Sequence, residues 1–285
     1  MTARTATKGQ AHGRAATTNR QYAVALGRAF AGAVIFSVPL LMTMEMWWLG
    51  FYLEPWRLLQ FTLANMVLLY FLSRVAGFEE SHNWLDDILD AFAAYAVAVA
   101  AAAGWLWLIG VIRPHMPLAE IAGMVAVQAV PASFGAMIGA KLLGEGDEIE
   151  RQEQWRDTYS GRMFLMLAGA LFLGFTVAPT EEMILIAYQM SAWQGLALVI
   201  LSIAVLHSIL YLVGFAGQKA RSEPGGAVGL LRHSLPGYAI AVCGCLYILW
   251  SFGRVDGSDP HHIAMSLAVL GFPASIGAGI ARIVV

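Results

Sequence analysis

Two short acidic motifs, "TMEM" at 43–46 and "TEEM" at 180–183, each lie inside a long apolar stretch of the chain. Glu45 and Glu182 hold the same place in the two motifs, and Glu181 stands opposite Met44. A carboxylate within hydrocarbon is costly, so it usually faces a bundle interior or water. Such oxygens bind hard cations, and neighbouring carboxylates raise one another's pKa. The motifs therefore predict a cation or proton pathway, with a structural or interfacial role as the alternative.

Other polar side chains within the apolar stretches are secondary candidates for the same pathway. They are Asn65, its counterpart Ser202, and His207. Each by itself is typical of a hydrogen bond between packed helices. Pro39 and Pro179 precede the two motifs, and a proline inside a helix frees a carbonyl and bends the chain. We therefore expect a kinked helix in front of each glutamate.

A second pair of motifs, "PASFGA" at 131–136 and "PASIGA" at 273–278, is typical of close helix packing. Small residues let helix backbones approach each other within a membrane. The packing residues that these motifs predict are Pro131, Ser133, Gly135, Pro273, Ser275 and Gly277.

The composition places the elements that carry these residues in a membrane. Hydrophobic residues make up 59% of the 285 residues and charged residues only 13%, against about 25% charged in a soluble domain. A spanning helix needs about 20 mostly apolar residues, and chain within lipid must satisfy its own backbone. The sequence therefore predicts an all-α polytopic membrane protein with eight transmembrane helices. The predicted spans are about 29–52, 57–77, 90–112, 118–141, 163–190, 193–216, 233–252 and 262–284.

The distribution of basic residues predicts the orientation of these spans. With the N-terminus inside, only Arg57, Arg113 and Arg254 of the 17 Lys and Arg residues lie outside. Positive charge collects on the cytoplasmic side, so both termini are expected there, in a bacterial inner membrane. Residues 1–28 are predicted to be a disordered basic tail and 142–162 a charged cytoplasmic linker. The acidic segment 79–90 is interpreted as solvated and amphipathic.

An internal duplication relates the two acidic motifs. Trp56 matches Trp193 in the same register, and Trp107 matches Trp250 a few residues out of it. We therefore predict two four-helix repeats, 29–141 and 163–285. Four is an even number, so the repeats are expected to be parallel, related by a two-fold axis along the membrane normal. Equivalent residues would then lie at equal depth.

The sequence also bears on which cofactors and binding partners to expect. The net charge of −2 gives no sign of a nucleic-acid partner, and no cofactor motif is present, so none is expected. Cys243 and Cys245 are interpreted as packing residues, and a metal ion is left open. The expected partners are the lipid bilayer and a small cation, with the oligomeric state open.

Two family resemblances bear on function. "EEMILIAYQ" at 181–189, followed by His207, resembles the intramembrane CAAX-type proteases, in which a glutamate pair and histidines activate water. That motif places an arginine where this chain has Ile186 and an aromatic residue where it has Ile203. The resemblance implies peptide hydrolysis as a remote alternative, and we expect the chain not to be an enzyme.

Over residues 22–285, the length, "TMEM"/"TEEM" and the paired "PAS" motifs resemble a bacterial family of integral membrane proteins of unknown function. This resemblance implies an eight-helix inner-membrane protein and carries no activity. The residues themselves favour a cation channel or carrier that uses Glu45 and Glu182. The alternative of a different class is a non-transporting scaffold or sensor, with 79–90 and 142–162 as docking surfaces.

Overall fold

All regular structure that the computed structural model describes is helical. It describes residues 6–76, 84–142, 158–211 and 226–284. The helices are α1 Ala6–Leu41, α2 Met44–Tyr52, α3 Pro55–Ala76, α4 Trp84–Leu108, α5 Leu118–Leu142, α6 Tyr159–Val177, α7 Glu181–Gln189, α8 Ala192–Tyr211, α9 Gly226–Ser251 and α10 Pro260–Val284. A π-helical turn, Leu230–Ser234, lies within α9. We call α1–α5 the N-terminal half and α6–α10 the C-terminal half.

The predicted all-α polytopic membrane fold is confirmed. Within the described ranges, seven helices are long and apolar enough to cross a membrane: α1, α4, α5, α6, α8, α9 and α10. The predicted second span, α3, has 22 residues but is not among the seven. Arg57, Gln60 and Asn65 lower its hydropathy, and all three make hydrogen bonds within the protein.

The predicted kink before each glutamate is instead a complete helix break. Thr43 and Thr180 have extended backbones, with ψ of 116° and 145°, and each precedes a new nine-residue helix. The Thr43 hydroxyl donates to the Pro39 carbonyl at 2.6 Å, and the Thr180 hydroxyl to the Val177 carbonyl at 2.8 Å. The Thr43 hydroxyl thus satisfies a carbonyl near the end of α1, whereas the Val177 carbonyl near the end of α6 also accepts from the Thr180 amide, at 3.1 Å. The break therefore costs little, although it lies within an apolar stretch.

The last helix of each half lies at its centre. α5 packs against α1, α2, α3 and α4, and α10 packs against α6, α7, α8 and α9. Glycines allow the closest crossings: a Cβ atom added at Gly32 would lie 2.4 Å from the Gly135 oxygen, and one at Gly169 would lie 2.2 Å from the Gly277 oxygen. Only a residue without a side chain fits such a crossing. Both "PAS" motifs thus lie where α5 and α10 cross the first helix of their half.

Several predicted boundaries differ from those of the structure. α1 begins at Ala6, inside the segment 1–28 for which we predicted a tail. Most of the predicted linker, 143–157, lies outside the described residues, as do 79–83 of the acidic segment. The prediction that 79–90 is solvated is wrong for its C-terminal part. There α4 has already begun, and Asp87 and Asp90 are buried.

Aromatic side chains hold the two halves together. Phe61 of α3 contacts Phe175 of α6 and Phe252 just after α9, with ring centroids 5.6 and 5.5 Å apart. Phe134 of α5 also contacts Phe175, at 6.0 Å. These edge-to-face contacts each contribute about 1 kcal/mol beyond burial. Since they join α3 and α5 to α6, the packing of the halves against each other is specific.

Candidate functional site

The glutamates of the two acidic motifs lie in the first turns of α2 and α7. Glu45 is the second residue of α2 and Glu182 the second residue of α7. A carboxylate in a first turn interacts favourably with the helix dipole, by about 0.3–1 kcal/mol. Glu45 is half-buried, whereas Glu181 and Glu182 are exposed. The helix breaks thus give each glutamate a structural reason for its position, in addition to any role in transport.

Both glutamates lie inside the depth of the spanning helices. The Leu40 carbonyl accepts a hydrogen bond from Gln128 of α5, and Gly50 packs against Gly123. Glu45, between Leu40 and Gly50, is therefore level with a segment about 7–15 Å from the first residue of α5. In the other half, Tyr188 stacks on His262 near the start of α10, with ring centroids 3.7 Å apart. Glu182 lies six residues before Tyr188 on α7, so it is about 9 Å deeper in the bundle than Tyr188.

We call the end of the bundle with Glu45 and Glu182 the glutamate end. Two arginines there have partners other than these glutamates. Arg57 forms an ion pair with Asp256 at 2.8 Å and donates to the Trp250 carbonyl at 3.0 Å. Arg254 donates to the carbonyl of Pro179, just before the second acidic motif. The arginines therefore fasten the halves and the helix break rather than neutralise the glutamates.

Halfway through the N-terminal half, two buried polar side chains contact each other. The Asn65 amide of α3 donates to the Ser133 hydroxyl of α5 at 3.1 Å, and that hydroxyl donates to the Val130 carbonyl at 2.6 Å. Deeper toward the glutamate end, Gln128 is also buried, and its Oε1 has no hydrogen-bond partner in the described part of the chain. In the C-terminal half, buried Ser202 donates to the Leu198 carbonyl of its own helix.

The opposite end of the N-terminal half, which we call the Asp87 end, holds a buried acidic pair. Asp87 and Asp90 lie one turn apart on α4 with 5% and 8% of their surface exposed. The Asp87 Oδ2 accepts from the Arg74 Nε at 3.4 Å, and Arg74 also donates to the Tyr70 hydroxyl at 2.7 Å. The other carboxylate oxygen, Oδ1 of Asp87, is buried without a hydrogen-bond partner among the described residues.

At the same end of the C-terminal half, a cluster of histidines and hydroxyls replaces the acids. His207 Nδ1 lies 2.8 Å from the Ser234 hydroxyl, and His233 Nδ1 lies 2.9 Å from the Tyr211 hydroxyl. Ser234 and His233 belong to the π-helical turn of α9. His207 is about 22 Å along α8 from its first residue, so it lies far from exposed Glu181. The arrangement of the protease resemblance, a glutamate pair beside this histidine, is absent from the described structure.

The comparisons with known proteins agree with the membrane fold. The family model described as "Putative integral membrane protein (DUF2391)" matches residues 25–285. The chain belongs to this family. No curated protein matches it, and neither does any solved structure. The family description carries no activity, so the function of this member has to be argued from its own side chains.

Sequence reasoning missed the acidic pair of this DUF2391 member, although a signal was present. Asp87 and Asp90 share the spacing of Ala91, Ala94 and Ala98, which recur every three or four residues. That spacing places all five on one helix face, and this face is buried. The many acidic residues in 79–90 favoured a solvated segment, and the helical spacing of Asp87 and Asp90 with the buried alanines was overlooked.

Proposed function

We propose that this protein moves a small cation across the membrane through its N-terminal half. The proposed route follows six side chains, the polar column: Glu45, Gln128, Asn65, Ser133, Asp90 and Asp87. The paired glutamates predicted from the sequence, Glu45 and Glu182, remain part of the proposal. Glu181, Ser202 and His207 keep secondary roles in the C-terminal half.

The observation that carries the proposal is the burial of Asp87 and Asp90. Placing a carboxylate away from water costs several kcal/mol unless a partner compensates it. Arg74 occupies only one oxygen of Asp87, and the second oxygen is buried without a partner in the described part. In the proposed route, a proton or a metal cation binds at this second oxygen, beside the charge that Arg74 already compensates. Buried acids of this kind are typical of ion and proton routes in membrane proteins.

The polar column has residues at several depths. Along α5, Gln128 and Ser133 are separated by about 7 Å, and along α3, Asn65 and Arg74 are separated by about 14 Å. Asn65 and Ser133 bridge the two helices at the middle depth. The C-terminal half has Leu270 in the place of Gln128. This substitution favours the N-terminal half as the route.

We further propose the eight-span, duplicated architecture with both termini in the cytoplasm of a bacterium. The matching glycine crossings in the two halves support it. So do Gly110 and Gly253, which follow α4 and α9 with φ of 78° and 71°. Their amides donate to the carbonyls of Trp107 and Trp250, at 3.1 Å in both cases. In this architecture α3, the second span along the chain, is added to the seven candidate spans to make eight. The Asp87 end faces the cytoplasm.

The test is ion flux in proteoliposomes that contain the purified full chain. Proton, sodium and potassium gradients are applied in turn, and flux is followed with ion-sensitive dyes. Asp90→Asn keeps the shape of the side chain and removes its charge. If the carboxylate lowers the barrier by about 1.4 kcal/mol, this variant loses about tenfold in rate. Asp86→Asn, on the neighbouring half-buried position of α4, is the matched control and keeps the wild-type rate.

A double variant, Glu45→Gln with Glu182→Gln, tests the paired glutamates separately. Loss of flux in this variant with normal insertion supports their role, and unchanged flux removes them from the route. Absence of flux for every ion in the wild-type protein overturns the proposal as a whole. The scaffold or sensor alternative then gains support from partner capture that depends on 79–90 or 142–162.

A further inference from the structure

The contact between the two halves joins two different faces. One face, face A, belongs to α3 and consists of Trp56, Arg57, Gln60 and Phe61. The other, face B, belongs to the C-terminal half and consists of Phe175, Tyr247, Trp250 and Ser251. The rings of Trp56 and Trp250 lie 5.5 Å apart, and the Arg57 guanidinium lies over both rings, at 5.4 and 5.7 Å. The Gln60 amide donates to the Ser251 hydroxyl at 3.1 Å.

This contact is not reciprocated. A two-fold axis would require α8, the counterpart of α3, to pack against α1 and α4 in the same way. In the described structure α8 packs against α9 and α10 of its own half and makes no comparable contact with the N-terminal half. The expected two-fold relation of the halves is therefore wrong for their interface. An interface between two different faces is heterologous, and it leaves one copy of each face free.

The free faces are visible as exposed tryptophans. Trp193, the counterpart of Trp56, is 80% exposed, and Trp107, the counterpart of Trp250, is 68% exposed. The neighbouring counterparts are also open to the surface. Ile35 corresponds to Phe172, whose ring contacts Phe36 of α1 at 5.8 Å, and Ile35 is 61% exposed. A Cβ atom at Gly104, which corresponds to Tyr247, would meet no atom within 4 Å.

We propose that a second copy of this chain covers these faces. The α8 face of one copy docks on the α1–α4 face of the next, and Trp193 meets Trp107 across the contact as Trp56 meets Trp250 within the chain. This inference rests on the duplication proposed above and not on ion transport. Repeating one heterologous contact gives a ring if the rotation closes and an open row if it does not, and in both cases the copies assemble side by side in the membrane.

The chemistry of the free faces suits a contact within lipid. Gln194 stands where face A has Arg57, and Leu108 stands where face B has Ser251. The contact between copies therefore needs no ion pair and consists of aromatic and aliphatic packing with a neutral amide. Tryptophan at a membrane interface is also favoured without any protein partner. Lipid is thus the competing occupant, and the experiment has to separate the two.

The test is thiol cross-linking in intact membranes, with the native thiols removed by Cys243→Ser and Cys245→Ala. The pair Trp56→Cys and Trp250→Cys calibrates a short bifunctional reagent, because it joins the halves of one chain and leaves the mass monomeric. The pair Leu108→Cys and Gln194→Cys, on the same two exposed faces, leaves both tryptophans in place and is expected to give a ladder of covalent oligomers. Two singly substituted chains, expressed together with different tags, are expected to give dimers only.

Two outcomes overturn this inference. One is a calibrating pair that reacts while the Leu108→Cys/Gln194→Cys pair stays monomeric. The other is a wild-type protein that is monomeric by single-molecule photobleaching. If oligomers form, Trp193→Ala is expected to shift them toward monomers. Trp84→Ala, an exposed tryptophan at the opposite end of the bundle, is the matched control and leaves the oligomer unchanged. None of these readouts depends on flux, so they stand or fall independently of the transport proposal.

Discussion

The two halves have similar frameworks and different polar side chains at the Asp87 end. Arg74 and Tyr211 stand at corresponding positions of α3 and α8. Arg74 pairs with the buried carboxylate of Asp87 at 3.4 Å, whereas the Tyr211 hydroxyl forms a hydrogen bond with the His233 ring at 2.9 Å. Glycine crossings hold both frameworks, so the polar positions are free to differ. At this end, the N-terminal half therefore carries a buried charged pair, and the C-terminal half carries a hydrogen-bonded tyrosine and histidine instead.

The largest expected effect tests the shared framework. Gly32→Ala and Gly169→Ala each force a methyl group against backbone atoms of α5 or α10. Overpacking of this kind costs about 3 kcal/mol or more where the backbone has to move. We expect similar losses of thermal stability in detergent for both variants. Gly104→Ala, which meets no neighbour within 4 Å, is expected to be neutral or stabilising, and a loss equal to that of Gly32→Ala would contradict the crossing geometry.

The next effect separates the two halves. Arg74→Leu leaves the buried Asp87 carboxylate without its cation. Removing one partner of a buried pair costs about 3–5 kcal/mol, and the partial exposure of Arg74 reduces the expected loss to about 2 kcal/mol. Tyr211→Phe at the corresponding position removes one hydrogen bond and is expected to cost about 1 kcal/mol. Both are measured by thermal unfolding.

A second substitution checks the cause of the Arg74→Leu loss. Asp87→Asn in the Arg74→Leu background removes the uncompensated charge, so part of the lost stability is expected to return. If the double variant is less stable than the wild type by the sum of the two single losses, the two side chains do not act as a pair. The Asp87 end of the N-terminal half would then resemble that of the C-terminal half.

A smaller effect is expected in the middle of the bundle. Asn65→Leu removes the hydrogen bond between α3 and α5, and such bonds in membranes contribute about 1 kcal/mol. Ser208→Ala is expected to cost less, because the Ser208 hydroxyl of α8 donates to the Ala204 carbonyl of its own helix at 2.8 Å. Unfolding in detergent measures both. Equal losses would show that the Asn65–Ser133 contact adds nothing beyond packing.

The smallest effect concerns pH at the start of α10. Asp259 accepts hydrogen bonds from the backbone amides of His262 and His261, and the bond from His262 is the main cause that lowers the pKa of Asp259 below its ordinary value of 3.8. A lowered pKa contributes stability that is present above the ordinary value and is lost as pH falls below it. Unfolding of the wild type is thus expected to become easier in that acid range.

The matched variant for this prediction is Asp259→Asn. Asparagine is as good an N-cap as aspartate but does not titrate. The variant is expected to match the wild type at neutral pH and to lose less stability in acid. The corresponding residue before α5 is Pro117, which has no titratable side chain. An unchanged acid response in Asp259→Asn would mean that the sensitivity arises elsewhere in the chain.

Much of the fold could be predicted because it depends on local chemistry. The length of each apolar stretch predicts a helix wherever lipid leaves the backbone no other partner. The glycines of the "PAS" motifs predict close crossings because only small residues permit them. The helix breaks at Thr43 and Thr180 were predicted only as kinks. Whether a proline bends or ends a helix depends on which groups donate to the carbonyls at the break, and here the threonine hydroxyls donate to them.

The candidate site could be predicted less well. Glu45 and Glu182 stand out in an apolar sequence, but their exposure depends on how the halves pack together. The charged segment around Asp87 and Asp90 suggests solvent exposure, but in the fold α4 packs against α3 and both side chains are buried. Charge alone does not tell a buried acid from a surface one, because burial is a property of neighbours that are distant in the sequence.

The amino-acid sequence by itself determined that the chain is a helical membrane protein with small-residue crossings, since hydrophobicity and side-chain size act locally. The tertiary structure decided which polar groups meet: Asn65 with Ser133, Arg74 with Asp87, and Trp56 with Trp250. It also decided that the halves meet through unlike faces. The reason is physical: which faces meet depends on the shape and packing of whole helices, and no single stretch of sequence contains that information.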